Sequence, residues 1–295
     1  MKAVDWRSAV AQAARETEEM LSDLLDDQNP DFSRLFEGMR YSALAGGKRV
    51  RPFLTLAFSQ LFGGDKETAL AFGAAIEMVH TYSLIHDDLP CMDNDDYRRG
   101  RLTNHKVYGE AEAVLAGDAL LTMAFEVIAA APTDAQGRVR AVQVLASASG
   151  ARGMVGGQMM DMKAEQEKPT LDELRRLQDG KTGALIRAAV ELGCVAAGVQ
   201  DERILADCRT YAFGIGRTFQ IIDDILDVYG DSRSLGKNVG QDAKEGKITY
   251  LSDMTREEAF SEAALLTEKA KAALCAYPGS ELLLAFADAL INREK

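Results

Sequence analysis

Apolar residues recur at intervals of three and four positions through most of this 295-residue chain, as in Val10, Ala14, Leu21 and Leu25. This spacing places apolar side chains on one face of an α-helix. No segment shows the sustained alternation of a half-buried strand, and the six prolines mostly fall where the helical pattern breaks. The pattern predicts an all-α protein with long helices at about 67–89, 107–131, 171–198 and 202–229.

The composition predicts a globular protein of one domain over residues 1–295, because no repeat, linker or low-complexity tract divides the chain. A net charge of −12 argues against a nucleic-acid surface. The N-terminus lacks the basic start and apolar run of a signal peptide, and no apolar run reaches the ~18 residues of a membrane span. We therefore expect a cytoplasmic protein without stable membrane insertion. The four cysteines lack CxxC spacing, which predicts free, buried thiols.

Two aspartate-rich segments lie far apart in helix-forming surroundings: Asp87-Asp88-Leu89-Pro90-Cys91-Met92-Asp93 and Asp223-Asp224-Ile225-Leu226-Asp227. On a helix, Asp223 and Asp227 are about 40° apart and can share an ion. Asp87 and Asp93 would be about 240° apart, so they can face one ligand only if the helix ends between them, as Pro90 predicts. Carboxylates gathered in this way need cations, and oxygen ligands favour Mg²⁺, with Mn²⁺ as the alternative.

A basic segment, Gly46-Gly47-Lys48-Arg49-Val50-Arg51-Pro52, combines cations with two glycines and predicts an anion site. It is not a P-loop, because the GxxxxGK[ST] spacing is missing. His80 precedes Asp87 by about 20° around a helix and roughly 10 Å along it, which suits a second anion. His86 is interpreted as a capping or packing residue outside the site. Further cations stand near the aspartates or near glycine-bearing turns: Arg98, Arg99, Lys181, Lys237 and Lys247.

Seven motifs in the same order identify a family resemblance. They are Gly46 to Pro52, Tyr82 to Pro90, Arg98-Arg99-Gly100, Gly117-Asp118-Ala119-Leu120, Gly156-Gly157-Gln158, Lys181-Thr182-Gly183 and Phe219 to Asp224. This combination resembles the trans-isoprenyl diphosphate synthases of the polyprenyl synthetase family, and among them the bacterial farnesyl diphosphate synthases. The resemblance implies a homodimer whose subunit is one all-α domain of long, mostly antiparallel helices around a deep central cavity.

The resemblance also implies a reaction and a set of site residues. Magnesium-assisted ionisation of an allylic diphosphate, dimethylallyl or geranyl, precedes its condensation with isopentenyl diphosphate and proton loss to the released diphosphate. Three Mg²⁺ ions would be held by Asp87, Asp88, Asp93, Asp223, Asp224 and Asp227. Arg98, Lys181, Lys237 and Lys247 would surround the allylic diphosphate, with Thr182 and Gln220 near the developing cation. The isopentenyl diphosphate site would comprise Gly47, Lys48, Arg51, His80 and Arg99.

The length of the product is assigned from Tyr82 and Ser83. Tyr82 precedes Asp87 by about 7.5 Å along a helix, so its ring can form part of the floor that stops the growing chain. The resemblance implies a C15 product, because short-chain bacterial members of that family carry an aromatic residue at this position, and a C20 product is the alternative. A class I terpene cyclase, a metal-dependent phosphohydrolase and a non-catalytic synthase subunit are the other functions considered. The C-terminal segment 292–295 is interpreted as a solvated tail in preference to a basic flap.

Overall fold

The computed structural model describes residues 5–164, 166–167, 169–229 and 249–293. These residues are almost entirely helical, which confirms the all-α prediction. The helices are α1 (Trp6–Leu24), α2 (Ser33–Ala43), α3 (Val50–Leu61), α4 (Lys66–Asp87), α5 (Asn104–Tyr108), α6 (Glu110–Ala130), α7 (Ala135–Ser149), α8 (Met154–Ala164), α9 (Leu171–Gln178), α10 (Ala184–Ala196), α11 (Glu202–Tyr229), α12 (Arg256–Leu274) and α13 (Glu281–Ile291).

The predicted long helices are present, and two of them are interrupted. The helix predicted at 107–131 is divided at Gly109. This residue has a φ of 101° and lies between the end of α5 and the start of α6. The helix predicted at 171–198 contains a π-helical turn, Asp179–Gly183, between α9 and α10. The other two correspond to α4 and to α11. Apolar periodicity locates a helix well, but it does not reveal a one-residue insertion within it.

A short hairpin follows the first aspartate motif, where the sequence predicted no strand. Its strands are β1 (Tyr97–Arg98) and β2 (Arg101–Leu102), paired antiparallel with Tyr97 opposite Leu102. The two turn residues, Arg99 and Gly100, have φ values of 54° and 74°. Positive φ at both central residues is the geometry of a type I′ hairpin turn. Strands of two residues are too short for an alternating pattern to show in the sequence.

The chain folds into two compact units. Among the described residues, the first unit comprises 7–143 and 192–198, and the second comprises 5–6, 144–164, 166–167, 169–191, 199–229 and 249–293. The prediction of a single domain over residues 1–295 stays a prediction.

Helix α4 forms the core of the first unit and ends at the first aspartate motif. It begins after Asp65, whose carboxylate accepts the Thr68 N–H at 2.8 Å as an N-cap. Most of its side chains are buried, and at Gly73 it packs closely on Pro52 of α3. Burial on nearly all sides explains why α4 is apolar all round and carries no clear polar stripe.

Helix α11 plays the equivalent part in the second unit and carries the second aspartate motif. At Gly214 it approaches α12 so closely that a Cβ would lie 2.7 Å from the Leu266 carbonyl oxygen. Its C-terminal half packs into a buried cluster of Ile221, Ile222, Ile225, Tyr250, Ala259, Ala263 and Leu266. The aspartates therefore stand on a helix whose orientation within this unit is fixed by close packing.

Helices α4 and α6 are each long and apolar enough to cross a membrane by length and composition alone. In α4, 78% of the most apolar 18-residue window is buried inside the protein, and in α6 the buried share is 39%. Core helices of soluble proteins meet the same criterion of length and composition. The expectation of no membrane insertion stays a prediction. All four cysteines are free, but Cys91 and Cys275 are exposed, so the prediction of buried thiols is right only for Cys194 and Cys208.

A buried ion pair in the first unit leads to a prediction about stability. Arg49, at φ 46° before α3, is 2% exposed, and its Nη1 lies 2.7 Å from Oε1 of Glu77, which is also 2% exposed. Glu77→Gln leaves the buried Arg49 with only the partly exposed Glu18, at 3.2 Å, as a counter-charge. We therefore expect this change to lower the free energy of unfolding by about 3 kcal/mol, the lower end for a broken buried pair. Urea denaturation followed by circular dichroism measures the change.

The matched control is Glu16→Gln. Glu16 forms an ion pair of the same length, 2.7 Å, with Lys66, whose side chain is 70% exposed. A solvent-screened pair contributes less than about 1 kcal/mol. A loss for Glu77→Gln no larger than that for Glu16→Gln would contradict the assignment of the Arg49–Glu77 pair as a core contact.

Candidate active site

The first aspartate motif folds back on itself where the proline predicts a break. Helix α4 ends at Asp87, and the N–H of Asp93 donates to the carbonyl oxygen of Asp87 at 2.8 Å. The N–H of Met92 also donates to the carbonyl of Leu89 at 2.8 Å. These turns return the backbone of Asp93 to that of Asp87, and both residues are partly exposed.

Asp88 is held inside the same motif by an arginine of the hairpin. It is 3% exposed, and its Oδ1 accepts Nε of Arg98 at 2.6 Å. Burial raises the pKa of Asp88 to about 6, against the opposing effect of the Arg98 cation. Arg98 also contacts Asp95 at 3.4 Å. Ligation of a metal by Asp88 would therefore require that its contact with Arg98 be shared or released.

Several residues predicted to bind the acceptor lie around the Gly46-Gly47 turn of the first unit. Gly46 and Gly47 have φ values of 78° and 134°, and Arg99 donates to the carbonyl oxygen of Gly46. A Cβ at Gly47 would lie 3.0 Å from the guanidinium carbon of Arg99, so the close approach depends on glycine. Lys48, the next residue, is exposed.

His80 lies within the electrostatic reach of the same basic residues. Removal from water lowers its pKa well below the ordinary value, and the positive charges of Arg51 and Arg99 lower it further. His80 is therefore neutral at neutral pH and can donate or accept a hydrogen bond. Four residues far apart in sequence thus lie near one another in the first unit, and their predicted binding of isopentenyl diphosphate stays a prediction: Gly47, Arg51, His80 and Arg99.

The second aspartate motif lies on the uninterrupted helix α11, so Asp223 and Asp227 are one turn apart, as predicted. The Asp223 carboxylate accepts Nη1 of Arg293 at 2.7 Å, and the Arg293 guanidinium lies 5.3 Å from the centre of the Phe219 ring. The interpretation of segment 292–295 as a solvated tail is wrong for Arg293, because a carboxylate and an aromatic face hold it. Residues 294–295 lie outside the described residues.

Asp224 links Gln220, one of the predicted catalytic residues, to the backbone of Tyr250. It is 2% exposed and accepts Nε2 of Gln220 and the N–H of Tyr250, each at 2.9 Å. Gln220 in turn accepts the hydroxyl of Thr182 at 3.4 Å. Thr182 and Gln220 are therefore in contact, and their predicted catalytic role stays a prediction. Asp224 is occupied by interior contacts, which ligation of a metal would have to share or release.

The π-helical turn Asp179–Gly183 places Lys181, and π turns are frequent at functional sites. It packs on α8 so closely that a Cβ at Gly157 would lie 2.1 Å from the backbone nitrogen of Lys181. The ammonium of Lys181 contacts Oδ2 of Asp161 at 2.5 Å. At the start of the turn, Asp179 accepts Nε of Arg217 at 3.0 Å and Nη2 at 2.8 Å.

Sequence reasoning missed Asp161 as the partner of Lys181. Asp161 follows Gln158 by one helical turn on α8, so the Gly156-Gly157-Gln158 motif contained a signal that was not used. Sequence reasoning also missed Arg293 as the partner of Asp223. The only signal for it in the sequence was the positive charge of Arg293. Lys237 and Lys247 lie outside the described residues, and their predicted roles stay predictions.

The donor sets can be compared with the requirements of the predicted metal. Among the residues that the structure describes, no three His, Cys, Asp or Glu side chains form a complete metal-binding group. Magnesium in enzymes characteristically takes one or two carboxylates and completes its shell with water and phosphate oxygens. Two partly exposed aspartates whose backbones meet, Asp87 and Asp93, and two that are one helical turn apart, Asp223 and Asp227, are the residue types that this coordination requires.

Known proteins resemble this chain over most of its length. The family model for polyprenyl synthetase matches residues 33–273. The chain is 50% identical to the farnesyl diphosphate synthase of Micrococcus luteus over 78% of both chains, and 44% identical to the geranylgeranyl diphosphate synthase of Cyanophora paradoxa over 94% of both. The apo crystal structure of an FPP/GFPP synthase from Zymomonas mobilis superposes with a TM-score of 0.88 at 41% identity, covering 98% of this chain and 99% of that one.

These matches extend over most of the chain and include both aspartate motifs. The chain belongs to the polyprenyl synthetase family. It is a trans-prenyl diphosphate synthase, an enzyme that transfers prenyl groups. The named relatives include both farnesyl and geranylgeranyl synthases.

The packing of the π-helical turn on Gly157 yields a prediction. In Gly157→Ala the added methyl would meet the Lys181 backbone nitrogen at 2.1 Å, so the turn must shift. Overpacking of this kind costs about 1–3 kcal/mol of stability, and a displacement near 1 Å lowers turnover about a hundredfold. Thermal unfolding and the rate of prenyl transfer measure the two effects.

Gly216→Ala serves as the control, because its Cβ would meet Gly183 Cα at an ordinary contact distance of 3.5 Å. We expect it to retain both stability and turnover. Equal turnover in the two variants would show that the contact at Gly157 does not position Lys181.

Proposed function

We propose that this protein condenses isopentenyl diphosphate with dimethylallyl and geranyl diphosphate to give farnesyl diphosphate. The observation that supports C15 over longer products is the ring of Tyr82, 8% exposed and five residues before Asp87 on the same helix. Its bulk suits the floor of a cavity that ends a growing chain. Ser83 is held by its hydroxyl, which donates to the His80 carbonyl at 2.8 Å. Geranylgeranyl diphosphate is the alternative product.

The proposed metal is Mg²⁺, with Mn²⁺ as the substitute and three ions present when the allylic diphosphate is bound. The residues proposed to hold them are Asp87, Asp88, Asp93, Asp223, Asp224 and Asp227. When bound, the metal supplies positive charge that stabilises the departing diphosphate. Four members are partly exposed, Asp87, Asp93, Asp223 and Asp227, whereas Asp88 and Asp224 are buried. Metal binding by Asp88, Asp223 or Asp224 would have to share or release the contact that each makes with Arg98, Arg293 or the Tyr250 N–H.

The protein's own cations contribute to the same charge stabilisation. In the proposal Lys181 exchanges Asp161 for an oxygen of the allylic diphosphate, and Arg98, Lys237 and Lys247 add positive charge around it. Such fixed charges lower the barrier to breaking the carbon–oxygen bond, because the negative charge of the leaving group develops in the transition state. The oxygens of Thr182 and Gln220 face the allylic carbon as it becomes positive, and they stabilise it without a covalent bond.

The acceptor, isopentenyl diphosphate, is assigned to the electropositive site of the first unit. Gly47, Lys48, Arg51 and Arg99 bind its diphosphate, and neutral His80 donates a hydrogen bond. The released diphosphate accepts the proton lost after condensation, so no side-chain base is required. We also propose a cytoplasmic homodimer that does not insert into membranes and, with its net charge of −12, does not bind nucleic acid.

The test is incubation with Mg²⁺, isopentenyl diphosphate and each allylic primer in turn. We expect diphosphate release with both primers, and chromatography of the hydrolysed products should show C15 as the main chain. A dominant C20 chain would replace the proposal with geranylgeranyl synthesis. A hydrocarbon formed without isopentenyl diphosphate would identify a terpene cyclase. Release of inorganic phosphate from the substrates would identify a phosphohydrolase. The absence of any reaction would favour a non-catalytic synthase subunit.

The metal assignment predicts that Asp87→Ala and Asp223→Ala each lower turnover by about a hundredfold or more while the protein stays folded. Each change removes a charged ligand, and every 1.4 kcal/mol of lost transition-state stabilisation is about tenfold in rate. Steady-state kinetics and thermal unfolding should be measured side by side. Asp172→Ala is the control, because the side chain of Asp172 on α9 is 78% exposed. Turnover near that of the unmodified enzyme in either variant would remove that aspartate from the metal site.

A further inference from the structure

A notch in helix α6 accommodates the side chain of His86, a residue that sequence analysis left outside the site. A Cβ at Gly117 would lie 2.2 Å from Nε2 and 2.5 Å from Cδ2 of His86. No residue with a side chain fits there without displacing the imidazole. The ring therefore occupies the space that the missing side chain of Gly117 leaves open.

A hydrogen bond fixes the orientation of this ring. His86 Nε2 lies 3.1 Å from the carbonyl oxygen of Val114, one turn before Gly117 on α6. A carbonyl can only accept, so Nε2 carries the proton that is donated. The carboxylate of Asp118 lies 4.0 Å from the same nitrogen. The imidazole is thus held by a backbone acceptor, a nearby carboxylate and a notch that only glycine provides.

The fixed imidazole in turn supports the ring of Tyr82. The two residues are four apart on α4, which places them on the same face of the helix. Their ring centres are 5.2 Å apart with an angle of 83° between the planes, an edge-to-face arrangement. Removing the imidazole would leave a ring-sized space directly beside Tyr82.

We propose that His86 and Gly117 determine product length by positioning Tyr82. Gly117 admits the imidazole, the imidazole holds the phenol ring, and the phenol ring limits the chain. This inference rests on the proposed function and deepens it, since it identifies what keeps the floor residue in place. Neither residue is given a part in bond breaking or bond formation.

A double-mutant cycle between His86 and Tyr82 tests the inference. We expect His86→Ala to raise the ratio of longer products to C15 about fivefold, as fits the loss of an edge-to-face ring pair. Tyr82→Ala should lengthen the products more. The double variant His86→Ala/Tyr82→Ala should match Tyr82→Ala alone, because His86 acts through Tyr82. An unchanged ratio in His86→Ala, or an equal further shift in the Tyr82→Ala background, would overturn the inference.

Gly117 is tested in the same way. Gly117→Ala should lower the C15 share, because the new methyl displaces the imidazole. Gly117→Ala/His86→Ala should give the same products as His86→Ala, since the clash is gone. The control is Gly38→Ala on α2. Its added Cβ would meet Ala116, the neighbour of Gly117 on α6, at an ordinary contact distance of 3.5 Å, so this variant should leave the products unchanged. A normal C15 share in Gly117→Ala would remove Gly117 from the proposal. Product ratios are to be compared at the same ratio of acceptor to primer and the same extent of reaction, so that a smaller folded fraction does not change them.

The outcomes separate this inference from the proposed function. If the unmodified protein makes C15 and Tyr82→Ala also makes C15, the function stands and the positioning role fails. If the unmodified protein makes no prenyl diphosphate, the function fails. NMR of ¹³C-labelled tyrosine then decides the positioning: a changed Tyr82 ring signal in both His86→Ala and Gly117→Ala supports it, and an unchanged signal overturns it.

Discussion

Compensation of charge is the constraint on which the rest of this structure depends. An ionised group that leaves water needs a partner, because its solvation is otherwise lost. Three side chains predicted to bind metal or diphosphate have such a partner within their own unit: Asp88 with Arg98, Lys181 with Asp161, and Asp223 with Arg293. In the proposed function, substrate binding exchanges these partners and does not expose bare charges. The pairs also hold the side chains in defined positions before substrate arrives.

Glycines, which have no side chain, allow close approaches of the groups around these charges. Gly47 lets the Arg99 guanidinium lie over the backbone, Gly157 lets the π-helical turn lie against α8, and Gly117 receives the imidazole of His86. At each position an added methyl group would force the neighbouring group to move. The backbone contact at Gly157 leaves the least room for adjustment, because a packed backbone does not absorb such shifts gradually, whereas the side chains of Arg99 and His86 can rotate away.

Local rules account for the parts of the structure that the sequence predicted. The break after Asp87 follows from Pro90, and the shared face of Asp223 and Asp227 follows from helical periodicity. The π-helical turn at Asp179–Gly183 was not predicted, because it stands within a continuous helical pattern and is held by Arg217 and α8. The partners Asp161 and Arg293 were missed for a similar reason. An ion pair between residues 20 or 70 positions apart leaves no periodic trace.

The sequence by itself determined the helical class, the placement of the long helices and the family, because helix periodicity and motif order are properties of the chain alone. Only the tertiary structure decided which carboxylates are buried. Asp88 and Asp224 are buried, whereas Asp87 and Asp223 are partly exposed beside them, with Asp223 paired to Arg293. Adjacent aspartates look equivalent in sequence. They differ because periodicity defines the face of a helix on which a side chain lies, while packing defines what covers that face.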